Sequence, residues 1–195
     1  MIDELQSPPI APGRSCGKCS LCCKLLHVVE LNKPAGKWCK HCRPGRPEGG
    51  CTIHETRPPI CRGYACGWLM SNTVSEDWYP PISHMVLSLA PLDGILTCTV
   101  TVDPNFSGMW KREPYYSQLK AMAYNGLHVS RPREILLVQV RCDARVWLLT
   151  DKNDIDISKL SYVVKLVGDG HYGIELFNTQ EEARERVQEL MQQIQ

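Results

Sequence analysis

Nine cysteines lie between Cys16 and Cys66, out of eleven in a chain of 195 residues. They form three groups: Cys16-Gly-Lys-Cys19-Ser-Leu-Cys22-Cys23, then Trp38-Cys39-Lys-His41-Cys42, then a run from Gly50-Cys51 through Pro58-Pro59-Ile60-Cys61 to Cys66. Two thiolates separated by two residues can close on one ion, because the turn between them brings both sulfurs inward. The candidate metal ligands are therefore Cys16, Cys19, Cys22, Cys23, Cys39, Cys42, Cys51, Cys61 and Cys66. If residues 16–23 coil helically, Cys16, Cys19 and Cys23 share a narrow face with Cys22 beside it. The adjacent Cys22 and Cys23 suit two neighbouring metals, or one ligand and one bystander. Pro58 and Pro59 suit a helix start. Cys61 and Cys66 on one helix would face different sides and serve different metals, unless the helix breaks at Gly63.

Four thiolates suit zinc, the first expectation, with iron or an iron–sulfur cluster, which thiolates also hold, as the alternative. The run CxxCxxC is similar to a ferredoxin run, but that pattern continues with x3-C-P, whereas here Cys23 follows at once. Charge agrees with a thiolate site: residues 16–66 hold nine Lys or Arg against three acids, Glu30, Glu48 and Glu55, a balance of +6. Metal-bound cysteines carry negative charge that these cations offset. The same cations without interleaved aromatic residues make a poor nucleic-acid patch. His41 and His54 lie among the cysteines and read as groups hydrogen-bonding to sulfur rather than as ligands. Arg57 is expected to donate to thiolates or carbonyls and hold the loop, with Arg62 flanking it. Cys98 and Cys142 stand apart and read as inert.

The string CxxCxxCC, a mid-segment cysteine, and then G-C-T-I-H-E-T-R-P-P-I-C-R-G-Y-A-C together resemble the YkgJ-type cysteine-cluster family, described as zinc- or iron-chelating domains. The resemblance covers about residues 14–70. It carries a ligand set over to Cys16, Cys19, Cys22, Cys23, Cys39 or Cys42, Cys51, Cys61 and Cys66. This chain has two cysteines in the middle where the family has one, so the choice between Cys39 and Cys42 stays open. The family is similar in its motif to a flagellin lysine methylase and is often labelled an iron–sulfur oxidoreductase. No catalytic arrangement stands out from the residues: there is no G-x-S-x-G elbow, phosphate loop or dinucleotide fingerprint. The expectation is a metal-binding protein, structural or metal-handling in role. The alternative is an iron–sulfur protein acting in electron transfer or as an oxidoreductase. A protein partner is not identified.

The elements that must position these cysteines differ along the chain. Residues 1–15, with Pro8, Pro9, Pro12 and Gly13, read as a loose arm. Residues 16–70 are poor in aliphatic residues after Leu31, so metal is expected to staple them into a knot. Residues 71–195 read as an α+β portion packed with it, built of antiparallel hairpins and helices. Strands are expected at 83–90 and 95–102 around the Asp93-Gly94 turn, at 134–141 and 144–150, and at 172–177. A helix is expected over 110–124, with Leu119, Met122 and Ala123 inward and Gly126 just past its end. A second, over 179–194, opens on a Thr179–Glu182 capping box and carries the stripe Val187, Leu190, Met191, Ile194. The fold class is thus α+β, a small metal-bound N-terminal knot joined to a hairpin and helix portion. Net charge is +1, and the acidic start, Met1-Ile2-Asp3-Glu4-Leu5, lacks the apolar stretch of a secretory signal. No apolar run reaches membrane-spanning length. Clustered cysteines in a chain so read point to metal rather than disulfides, and to a cytoplasmic protein with no membrane partner.

Overall fold

The fold is described from a computed structural model, which defines residues 8–46, 50–129, 131 and 134–192. Ile194 and the first seven residues of the arm lie outside these. The chain is mixed α+β and divides into two compact units. One comprises residues 1–89 and 99–115, the other 90–98 and 116–195, and the boundary crosses one hairpin. No helix among the described residues is long and apolar enough to cross a membrane.

The first unit holds four short helices, α1 (Leu21–Leu25), α2 (Pro59–Arg62), α3 (Gly67–Met70) and α4 (Pro80–Ser83). Each spans four or five residues, so none is stable on propensity alone and side chains must fasten them. Helical coiling from residue 16 is not what forms: Cys16–Cys19 is a turn, and α1 begins only at Leu21. Gly17 at a φ of 52° gives the turn a conformation that side chains resist. The second option for Cys61 and Cys66 is realised. Gly63 ends α2, and Cys66 stands at the N-cap of α3, so the two cysteines sit on separate helices. The unit buries Leu25, Trp68, Leu69, Trp78, Met85, Val86, Val100 and Trp110. The cysteine segment thus shares its unit with the inner ends of strands β1 (Met85–Leu92) and β2 (Ile95–Val102).

In the second unit β3 (Leu136–Cys142) pairs antiparallel with β4 (Arg145–Leu149), and β4 with the short β5 (Asp154–Asp156). The five strands are ordered β1-β2-β3-β4-β5 in one sheet. A separate two-stranded sheet pairs β6 (Ser161–Gly168) with β7 (His171–Phe177). Strands β5 and β6 were not expected from the sequence. The signal for β6 was present in Tyr162-Val163-Val164 followed by Asp169-Gly170, both at positive φ, which is the chemistry of a tight hairpin turn. Helix α5 runs Tyr115–Leu127, not 110–124; a 3-10 turn takes Met109–Lys111 instead. Leu119 and Ala123 are buried as expected, and Leu127, Ile135, Leu137 and Leu148 form a core with Tyr162, Val164 and Ile174 packed on it.

Helix α6 (Gln180–Gln192) opens on the expected capping box. The Glu182 N–H donates to Thr179 Oγ1 (3.2 Å), and the Thr179 and Asn178 N–H groups donate to the Glu182 carboxylate (3.1 and 3.0 Å). Its expected apolar stripe is not buried: Val187 is 42% and Met191 64% exposed, and Ala183 is the buried residue. A two-stranded sheet is too narrow to cover a whole helix face. Thr179→Ala is expected to cost about 1 kcal/mol in urea denaturation, the usual worth of such a cap. A loss below about 0.3 kcal/mol would show that the helix start is held from elsewhere.

Candidate metal centre

The first unit brings the three cysteine groups to one place. A cavity of about 510 Å³ is lined by Cys16, Cys19, Cys22, Cys23, Cys39, Cys51 and Cys61. A smaller one of about 50 Å³ is lined by Cys16, Cys19, Cys22 and Cys66. Cys42 lines neither, and is buried. Cys98 and Cys142 are buried in the second unit. All eleven cysteines are thiols without disulfides. Among the described residues, no three His, Cys, Asp or Glu side chains are already gathered as a metal-holding group, so closing on an ion takes thiol rotation.

Backbone contacts explain the convergence. The Cys19 N–H donates to the Cys16 carbonyl (2.8 Å) and the Cys23 N–H to the Ser20 carbonyl (2.9 Å), which turns the first group inward. The Cys39 N–H donates to the Cys23 carbonyl (3.0 Å), tying the second group to the first. Cys42 and Cys51 form an antiparallel bridge, and the Arg43 N–H donates to the Gly50 carbonyl (2.8 Å), tying the third to the second. Gly50 has a φ of 63°, and a Cβ there would lie 2.0 Å from the Arg43 carbonyl oxygen, so only glycine permits this closure.

Lysines hold α1, which carries Cys22 and Cys23. Lys24 Nζ meets both carboxylate oxygens of Asp103 at 2.7 Å, with both side chains nearly buried. Lys33, itself buried, donates from Nζ to the Lys24 and Leu26 carbonyls, satisfying the open C-terminal end of the helix. Arg14 does the same for α3. Its guanidinium donates to the carbonyls of Trp68, Ser71 and Val74 and lies 4.6 Å above the Trp68 ring. The Tyr79 hydroxyl donates to the Cys16 carbonyl (3.3 Å). None of Arg14, Lys24 or Lys33 was singled out from the sequence, because their partners are carbonyls and a carboxylate that only folding brings near. His27 also lines the larger cavity with His41 and His54.

Electrostatics follow from burial and from contacts between sulfurs. The thiols of Cys22 and Cys42 both donate to the Cys23 sulfur, and Lys33 and Arg57 add positive charge, so the Cys23 thiol is lowered to about 6. Its donor Cys22 is raised, first by that hydrogen bond and then by burial. Burial raises Cys19 and Cys42 to about 11, and also raises Cys16, Cys61 and Cys66. Burial lowers the Lys33 ammonium against the attraction of the neighbouring cysteines. The Arg57 Nε is buried without a partner, so the expected donation to thiolate or carbonyl is not made by that atom; Trp68 Nε1 is likewise unpartnered.

The donor set fits a thiophilic metal. It offers soft sulfur ligands on three linked loops, with Lys33 and Arg57 at the cavity wall to offset thiolate charge. No family model, no curated protein and no solved structure matches this chain.

Proposed function

We propose that this chain is a metal-binding protein that holds zinc or iron through the thiolates of residues 16–66, in a structural or metal-handling role. The observation that carries the reading is the gathering of seven cysteines from three separate sequence groups around one cavity. Hydrophobic burial alone scatters cysteines through a core as small apolar residues, as Cys98 and Cys142 are. Cationic Lys33 and Arg57 in the same wall support the reading, because they offset the charge that thiolates would carry. The resemblance of the CxxCxxCC run to the YkgJ-type cysteine-cluster family supports the same reading. Ligands must lose protons to bind, so metal here competes with raised thiols and should be released on acidification.

The size of the larger cavity favours one second reading, an iron–sulfur cluster used in electron transfer. Colour separates the two: a cluster gives a brown protein, zinc a colourless one. The test is elemental analysis of the anaerobically purified chain and of a cysteine-to-serine series. Serine at Cys19, Cys51 or Cys61 is expected to lower metal per chain, and serine at Cys98 or Cys142 to leave it unchanged. A chain purified without metal, and taking up none when zinc or iron is supplied, would end the proposal.

A further inference from the structure

From the division of the thiols between the two cavities, we infer two four-thiolate centres that meet at the Cys22–Cys23 peptide: Cys16, Cys19, Cys22 and Cys66 hold one ion; Cys23, Cys39, Cys51 and Cys61 hold the other. Cys42 is not a ligand. The inference rests on the metal-binding reading above and deepens it.

Four observations carry it. Of the cysteines, four line the smaller cavity, among them Cys66, and apolar and aromatic residues such as Trp68, Leu69 and Tyr79 complete its wall. Its volume of about 50 Å³ suits a single ion rather than a polynuclear cluster. The larger cavity excludes Cys66 and gathers the four thiols missing from the first, Cys23, Cys39, Cys51 and Cys61. Cys16, Cys19 and Cys22 border both spaces, as ligands beside a shared wall must.

Helix geometry explains the branching point. Cys22 and Cys23 are successive residues of α1, and successive side chains on a helix diverge by about 100°. Adjacent cysteines are awkward partners for one tetrahedral ion, whereas two neighbouring ions can each take one. Backbone bonding agrees, since Cys39 is fastened to the Cys23 carbonyl and not to the Cys16–Cys22 stretch. Trp68, whose buried Nε1 has no partner, is among the residues lining the smaller cavity.

The same geometry decides between the two mid-segment cysteines. Cys39 lines the larger cavity, while Cys42 lines neither. Cys42 is 6% exposed and engaged with Ser20 and Cys23 by side-chain hydrogen bonds. Its role is to donate to a neighbouring ligand sulfur, a contact that supports a thiolate without completing a coordination shell.

The test loads the full chain with zinc, and separately with cobalt(II), whose thiolate charge-transfer bands report each centre. Metal per chain is then measured for the wild type and for Cys66→Ser, Cys61→Ser, Cys66→Ser/Cys61→Ser, Cys39→Ser and Cys42→Ser. The wild type is expected to hold about two ions, on the count of four ligands each. Cys66→Ser and Cys61→Ser should each hold half as many, and the double variant none. Cys39→Ser should also lose half, and Cys42→Ser nothing. Circular dichroism guards against a variant that has simply unfolded, and alanine at the same position then replaces serine. If Cys66→Ser alone removes all metal while the wild type is loaded, the cysteines form one cluster and the division is wrong. If Cys42→Ser loses metal and Cys39→Ser does not, the second ligand set is wrong. A wild type that binds neither zinc nor cobalt(II) sinks the metal reading itself, which is a distinct result.

Discussion

Arg14→Ala is expected to destabilise the first unit by about 3 kcal/mol, the upper end of the cost of leaving a buried polar group unsatisfied. The Arg14 side chain is only 7% exposed. It donates to three backbone carbonyls, those of Trp68, Ser71 and Val74, around the end of α3. Truncation leaves those acceptors without a donor, and each costs about 1–3 kcal/mol where water cannot reach it. The cation–π contact with Trp68 is lost as well. The partner Glu76 is 74% exposed, so the ion pair itself contributes little. Glu76→Gln should therefore cost less than about 1 kcal/mol, the ceiling for exposed pairs. Arg14→Lys should recover only a minor part, because a point ammonium cannot span three carbonyls as a planar fork does. Urea denaturation of the three variants measures all of this. An Arg14→Ala loss no larger than that of Glu76→Gln would show that the carbonyls find water. Arg14 also stands two residues before Cys16 and grips the helix at whose N-cap Cys66 stands, so under the proposed metal-binding function the same variant should bind metal more weakly.

The second large effect is at Gly126. It lies inside α5, one residue before its end, where a Cβ would sit 2.0 Å from the Leu136 carbonyl oxygen and 2.9 Å from its carbon. Backbone cannot yield as a flexible side chain can. Alanine must therefore push the helix end away from the start of β3. Leu127, Ile135 and Leu137 flank that contact in the core of the second unit. Overpacking ordinarily costs about 1–3 kcal/mol, and a backbone clash belongs at the top of that range or above it. Gly126→Ala is expected to cost about 3 kcal/mol in spite of the better helix propensity of alanine, worth roughly 1 kcal/mol the other way. Gly126→Ser should behave alike. A neutral or stabilising Gly126→Ala would mean that α5 and β3 stand farther apart than described.

The two variants probe opposite kinds of legibility. Gly126 was visible in the sequence as a helix signal, but was read as a residue past the end of α5. The chain gives the same residue for a C-terminal stop and for close backbone approach, and only packing tells them apart. The β1–β2 hairpin was legible because Asp93-Gly94 is a strong turn signal ahead of a β-branched run, and β2 takes the expected residues Ile95–Val102 while β1 runs Met85–Leu92 in place of 83–90. The capping box of α6 was legible for the same reason, since all its bonds lie within five residues. The exposure of Val187 and Met191 was not, because an apolar stripe states a preference without guaranteeing a surface to meet it.

For the candidate site, residue types and local spacing were enough to pick out the nine clustered cysteines, the break at Gly63 as one of two options, and the α+β character of the whole. These rest on interactions a few residues long, where chain geometry leaves few choices. Tertiary structure alone decided which thiols share a cavity, that Cys39 lines it while Cys42 is buried beside Cys23, and that Arg14, Lys24 and Lys33 hold the helices carrying them. Those contacts join residues as far apart as Lys24 and Asp103, or Arg14 and Val74. Their partners are mostly backbone carbonyls, which every residue has, so no sequence pattern marks them before the chain has folded.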